Sequence, residues 1–221
     1  MVSTMDAFGD ASARSAIDSY LDQHRSRLLD ELKQYLAIPS VSTLPAHKPD
    51  VLRASEFVAE KLRAAGMQNV RAIPTKGHPL VYGEWLGAPG KPTVLCYGHY
   101  DVQPPDPLNE WITPPFEPTV RGEDIFARGA ADDKGQMFVH IKAAEALLAL
   151  HGKLPINVKF LIEGEEEIGG EGIDEYVKQH ARELPCDVAL VSDTHMFAAG
   201  LPTLCVGLRG LVYTELFASG A

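Results

Sequence analysis

Apolar residues recur at helical spacing over 13–37, where Ile17, Leu21, Leu28, Leu32 and Leu36 form one stripe and predict an amphipathic helix. Ile38-Pro39-Ser40 ends it, because the residue before a proline is pushed out of the helical region. Pro45 and Pro49 keep the next stretch a loop. Val51, Ser55, Val58 and Leu62 share a face over 50–65, a second helix that Asp50 can cap and Gly66 can end. Short strands are then predicted at 70–73, 80–85 and 93–97, with Gly77-His78-Pro79 and Gly87-Ala88-Pro89-Gly90 as the turns between them. Pro104, Pro105, Pro107, Pro114, Pro115 and Pro118 make 103–118 a long loop, which Trp111, Ile112 and Phe116 give something to pack. A helix follows over 134–150 with Met137, Ile141, Ala144 and Leu148 inward, then a strand at 156–162, a helix over 172–182 and a strand at 187–191. Residues 204–208 and 211–217 also read as strands. Strands alternating with helices predict an α/β fold, a mixed, mostly parallel sheet sandwiched by helices. No internal repeat is visible.

Composition narrows the partners. The chain has 221 residues, enough for one full domain and short for two. A hydrophobic share of 45% with 23% charged residues is that of a packed protein, not a disordered or fibrous one. Twenty basic against thirty acidic side chains leave a net charge of −10, with no basic patch for a nucleic acid. Solubility alone accounts for that charge; the alternative is that some carboxylates await cations. Cys96, Cys186 and Cys205 fit neither a disulfide framework nor a cysteine zinc knuckle, and point to a reducing compartment. Residues 1–11 lack the basic start and apolar core of a signal peptide, and no apolar run approaches the roughly 18 residues of a membrane helix. The expectation is a cytoplasmic protein without nucleic-acid or membrane partners.

Four segments place acidic or imidazole groups at the carboxyl end of a predicted strand or the start of a helix, the edge where open α/β sheets bind ligands. They are Gly98-His99-Tyr100-Asp101, Gly129-Ala130-Ala131-Asp132-Asp133-Lys134-Gly135, Glu163-Gly164-Glu165-Glu166-Glu167, and Ser192-Asp193. Each has a plain structural reading. His99 and Asp101 can pair locally, Asp132 or Asp133 can cap a helix, Glu165 to Glu167 can form a solvated turn, and Asp193 can cap the loop before His195. Four such clusters at one sheet edge would repel one another, and a divalent cation is the natural compensation. His, Asp and Glu without Cys is the ligand chemistry of catalytic zinc, manganese or cobalt.

These four segments, in this order and spacing, resemble the co-catalytic metallopeptidases. That family comprises carnosinases, cytosolic nonspecific dipeptidases, aminoacylases, glutamate carboxypeptidases and succinyl-diaminopimelate desuccinylase. The resemblance runs from about Leu21 to the end of the chain. His-Tyr-Asp-Val-Gln-Pro and Asp-Asp-Lys-Gly are most similar to the carnosinase and dipeptidase branch. The resemblance implies two divalent metal ions, zinc first, with manganese or cobalt as alternatives. It implies His99 and Asp193 as ligands of one metal, Asp132 as the bridging carboxylate and Glu167 as a ligand of the other metal. It implies Glu166 as the general base and Asp101 as the carboxylate that orients the His99 imidazole. It also implies a cis peptide bond between Asp132 and Asp133. The implied reaction is hydrolysis of the amide bond of a dipeptide or short peptide by a metal-bridged hydroxide, Glu166 passing the proton to the leaving amine.

Members of the family are longer than this chain and carry a lid or dimerisation domain. The resemblance therefore implies an N-terminal fragment, residues 1–207 of the catalytic domain and 208–221 opening the lid. A homodimer would form through the missing part, and the isolated chain is expected to be inactive or nearly so. Two runner-up functions are an N-acyl-amino-acid deacylase or carboxypeptidase of the same family, and a non-catalytic metal-binding relative. A cysteine hydrolase using Cys96 or Cys205 is disfavoured because both read as core strand residues. Glu165 and His195 are minor competitors for the ligand roles, and the remaining histidines, His140 among them, are expected on surfaces.

Overall fold

The computed structural model describes residues 11–198, 200–201 and 203–220, with side chains from Arg14 onward. Helix α1 (Ala11–Leu36) buries Tyr35 and Leu36 completely at its C-terminal end. Helix α2 (Lys48–Ala64) buries Val51, Ala54, Ser55, Val58 and Leu62, the face the spacing predicts. Strands β1 (Gln68–Ile73), β2 (Leu80–Trp85) and β3 (Thr93–His99) follow. An unpredicted hairpin, β4 (Thr119–Arg121) and β5 (Asp124–Phe126), closes the proline-rich loop. Helix α3 (Lys134–His151), strand β6 (Asn157–Glu163), helix α4 (Glu171–His180) and strand β7 (Val188–Val191) complete the order. None of the helices among the described residues is long and apolar enough to cross a membrane.

The main sheet runs β1-β2-β6-β3-β7. Its β1-β2 and β2-β6 pairings are antiparallel, while β6, β3 and β7 pair in parallel, so four of the five strands point one way and β2 alone runs against them, the mixed, mostly parallel sheet that the strand and helix order predicts. Side-chain alternation sorts the two faces. Val81, Trp85, Cys96, Phe160 and Ile162 face the core shared with α2 and α3, whereas Leu80, Tyr82 and Leu161 meet Tyr176 of α4 on the other side.

Charge ties the helices of the larger layer together. Arg27 of α1 contacts Glu145 of α3 at 2.5 Å, and Lys142 of α3 reaches Glu31 of α1 at 2.5 Å and Glu145 at 2.6 Å. At the end of α1, the fully buried Lys134 ammonium donates to the carbonyls of Ile38 (2.7 Å) and Tyr35 (3.3 Å). It thereby satisfies acceptors that a helix C-terminus leaves open. The same contact fixes the start of α3 against the end of α1.

The predicted strands 204–208 and 211–217 are not formed. This stretch pairs with no strand among the described residues, and Val206, Leu208 and Phe217 are 98, 88 and 84% exposed. An apolar run becomes a strand only beside another strand, and none lies beside it among the described residues. Cys205 is accordingly exposed, contrary to its reading as a core residue.

Candidate metal centre

Because β3, β6 and β7 are parallel, their carboxyl ends share one edge. His99 is the last residue of β3 and stands in register with Glu163, the last of β6. Ser192 and Asp193 follow β7 directly, and Asp132 and Asp133 immediately precede α3. Glu166 and Glu167 sit in a single 3-10 turn (Glu166–Ile168) after β6.

Ligand-type atoms of His99, Glu166 and Asp193 all lie within 4.8 Å of one another. His99 Nε2 is 3.2 Å from Asp132 Oδ1 and 3.8 Å from Asp193 Oδ2, yet this buried nitrogen has no hydrogen-bond partner. Glu167 stands apart from the three-residue group, its Oε2 accepting a hydrogen bond from Gln103 Nε2 at 2.5 Å. The expected ligand Asp132 thus touches His99, while Glu166, expected as the base, stands at ligand distance. Glu165 turns its carboxylate between Gly77 and Gly172, and His195 is exposed; neither joins the group.

Asp101 is the hub of the site. Fully buried, it accepts from the Ser42 hydroxyl (2.6 Å) and from the backbone N–H groups of Glu166 (3.3 Å) and Glu167 (3.1 Å). Its carboxylate also lies 3.3 Å from His99 Nδ1, and its carbonyl oxygen is 3.1 Å from the same nitrogen. Ser42 arrives through a parallel bridge between Val41 and Val102, with the Val102 N–H donating to Ser40 O. One carboxylate therefore orients the imidazole and holds the turn that carries Glu166 and Glu167.

Asp133 does not cap α3 with its side chain. Its buried Oδ2 instead accepts the His99 backbone N–H at 3.2 Å. Gly98 permits this approach: a Cβ there would meet Asp133 Oδ2 at 2.7 Å and Met137 Cγ at 2.8 Å. The peptide bond between Asp132 and Asp133 is cis, as the resemblance implies.

Electrostatics follow from burial and crowding. Burial alone would push the His99 imidazole down, but the hydrogen-bonded Asp101 carboxylate, with Asp133 and Glu166, outweighs it and raises it to about 10. Burial pushes the Asp133 and Glu163 carboxyls up to about 7. Glu166 is raised by burial and by the neighbouring Asp193, Asp101 and Asp132 carboxylates, against the opposing pull of His99. Burial raises Glu167 as well, partly offset by the Gln103 hydrogen bond. Cys96 is pushed up to about 11 by burial, which leaves its thiol protonated and unsuited to nucleophilic attack.

Sequence reasoning missed three supporting side chains. Ser42 carried no signal, lying far from the motifs in sequence. Gln103 sits within the quoted His-Tyr-Asp-Val-Gln-Pro run but had no role read into it. His140 was expected on a surface, but it is partly buried and its Nε2 lies 2.5 Å from Ser192 Oγ.

Comparison with known proteins agrees with this architecture. Residues 95–207 match the model of peptidase family M20/M25/M40. The chain is 33% identical over 210 residues to a Beta-Ala-His dipeptidase of Rattus norvegicus, covering 88% of this chain and 42% of the rat protein. It is 32% identical over 212 residues to the Cys-Gly metallodipeptidase dug1 of Schizosaccharomyces pombe, covering 90% of this chain and 44% of the yeast protein. The crystal structure of human carnosine dipeptidase 1 superposes with a TM-score of 0.75 at 31% identity, over 81% of this chain and 41% of that one. The chain spans less than half the length of the curated relatives it matches. With the family model matched across half of its residues, the chain belongs to peptidase family M20/M25/M40.

Proposed function

We propose that this chain supplies the metal-binding catalytic part of a dipeptidase, hydrolysing the amide bond of dipeptides or short peptides. The observation that carries this reading is His99 Nε2, buried without a hydrogen-bond partner and facing the carboxylates of Asp132 and Asp193. A buried imidazole nitrogen left without a hydrogen-bond partner is costly unless a cation takes it in exchange for its proton. The donor set is one imidazole and several carboxylates with no thiolate, which suits zinc and equally manganese or cobalt. His99, Asp132, Glu167 and Asp193 would hold two divalent ions. When bound, such ions polarise a carbonyl and lower the pKa of water.

The chain's own groups do the rest. Asp101 keeps His99 Nδ1 engaged, so Nε2 remains the ligand nitrogen. Glu166, raised by burial and neighbouring carboxylates, can accept a proton from water and deliver it to the leaving amine. Its backbone N–H is fastened to Asp101, which limits where its carboxylate can reach. The dipeptidase names of the relatives favour dipeptides over N-acyl amino acids. Residues 208–221 are read as the opening of a lid and dimerisation domain, in keeping with exposed apolar residues that have no strand partner among the described residues. A cytoplasmic setting is inferred from cysteine usage.

Calorimetric titration of the metal-stripped chain with Zn²⁺ or Mn²⁺ tests this, beside Asp132→Ala and Glu166→Gln. Uptake lost in Asp132→Ala and retained in Glu166→Gln supports the ligand and base roles. No uptake by the folded wild-type chain refutes the metal reading, and loss of uptake in Glu166→Gln makes Glu166 a ligand rather than the base. In the longer protein that carries this part, hydrolysis of dipeptides over N-acetyl amino acids, abolished by Glu166→Gln, separates the dipeptidase from the deacylase.

A further inference from the structure

Asp193 follows an edge strand. Among the described residues β7 is joined to the sheet on one side, through β3, and its ladder ends at the pair of Tyr97 with Val191. Ser192 and Asp193 lie beyond that last rung, where the sheet no longer dictates backbone position. The nearby Thr194 N–H donates to Ser192 O at 2.7 Å, a contact within the loop that does not tie it to the body of the protein. A side-chain hydrogen-bond contact does so: Ser192 Oγ lies 2.5 Å from Nε2 of His140 on α3.

His140 is well placed to act as an anchor. It sits on the helix whose N-terminus follows Asp132 and Asp133 directly, and that helix start is fixed by the Lys134 contacts to Tyr35 and Ile38. Burial pushes the His140 imidazole below its ordinary value, so the ring is neutral near pH 7 and can share a proton with a hydroxyl. Helix α3 therefore governs two carboxylates that face His99 Nε2: Asp132 through the backbone, and Asp193 through the ring of His140 and the hydroxyl of Ser192.

We infer that His140 and Ser192 form a positioning pair that holds the Asp193 carboxylate against His99 and so sets the affinity of the metal site. The inference rests on the metal reading above. His140 touches neither metal nor substrate in this role. It acts through Ser192 on the neighbouring residue, as supporting hydrogen bonds commonly do behind metal ligands.

The test is calorimetric Zn²⁺ titration of the chain and of four variants: Ser192→Ala, His140→Ala, the double Ser192→Ala/His140→Ala, and His140→Gln. Thermal unfolding of the metal-free forms runs beside it. Each single alanine variant is expected to bind Zn²⁺ about 10-fold more weakly or worse, in the range usual for supporting groups. The double variant should be no weaker than the weaker single, because both remove one contact. His140→Gln, whose amide can reach the same hydroxyl, should recover most of the affinity. Ser192→Ala removes only one hydroxyl from a partly exposed loop, so it keeps the test open should His140→Ala fail to fold. Wild-type affinity in Ser192→Ala, losses that multiply in the double variant, or His140→Gln as weak as His140→Ala would each overturn the pairing. If the wild-type chain takes up no Zn²⁺, the metal reading itself falls and takes the pairing with it. Binding by wild type and variants alike sinks the pairing alone.

Discussion

Replacing Asp101 should destabilise the metal-free chain before any chemistry is considered. Its buried carboxylate accepts from Ser42 Oγ, Glu166 N and Glu167 N and neighbours His99 Nδ1. A hydrogen bond to a charged group contributes roughly 1.5–3 kcal/mol, so a naive sum over these contacts is large. Two effects reduce it. The contacts share one side chain and are not additive. Removing Asp101 also relieves repulsion, since its charge helps to raise Glu163 and Glu166. The dominant remaining cost is a buried imidazole raised to about 10 that loses its main counter-charge. Breaking a buried charge pair from one side typically costs about 3–5 kcal/mol, the value expected for Asp101→Ala. Asp101→Asn keeps the volume and one acceptor oxygen but loses the charge, and should cost about 2 kcal/mol. Urea unfolding followed by circular dichroism measures both, as a lower midpoint at unchanged slope. The reasoning fails if Asp101→Ala lies within about 1 kcal/mol of wild type. It fails equally if Asn is as costly as Ala, because the acceptor oxygen then contributes nothing.

Gly98→Ala should cost about 1–3 kcal/mol, because its Cβ would press on Asp133 Oδ2 and Met137 Cγ; urea unfolding reads the cost, and wild-type stability would contradict the close approach. The α1–α3 charge cluster predicts acid sensitivity. Burial alone would raise the Glu31 and Glu145 carboxyls, but Lys142 and Arg27 outweigh it and hold both below their ordinary 4.5. Their stabilisation is complete above 4.5 and is lost as pH falls through the depressed values. The stability gap between wild type and Lys142→Met should therefore shrink on acidification, and a gap that widens would reverse the sign of the argument.

Helices α2 and α3 were legible because each buries a stripe at helical spacing: Val51, Ser55, Val58 and Leu62 in α2, and Met137, Ile141 and Ala144 in α3. The central strands were legible for the same reason, with turns of glycine and proline between them. The β4–β5 hairpin was not, since strands as short as Thr119–Arg121 carry too few residues for a period to show. Residues 204–217 failed in the opposite direction: their pattern is that of strands, but strand formation depends on a neighbour that local sequence does not encode. The site divides similarly. The motif carboxylates and His99 announced themselves by type and spacing. Ser42 and His140 did not, because their partners Asp101 and Ser192 lie 59 and 52 positions away, and only the packing of loop and helix joins them. Asp133 was legible as a helix start but not in its function, because the backbone of His99 competes for its carboxylate.

The open side of β7 and the unpaired stretch after it have a colloidal consequence. Val188 and Val191 are 55 and 52% exposed on the edge strand, and Leu204, Val206, Leu208, Leu211 and Val212 are more exposed still. A strand edge uncovered among the described residues, beside an exposed apolar segment, is a template for edge-to-edge association between copies. The net charge of −10 works against this at low salt, but screening weakens that repulsion as ionic strength rises. The 221-residue chain should therefore stay dispersed in dilute buffer and self-associate on addition of salt.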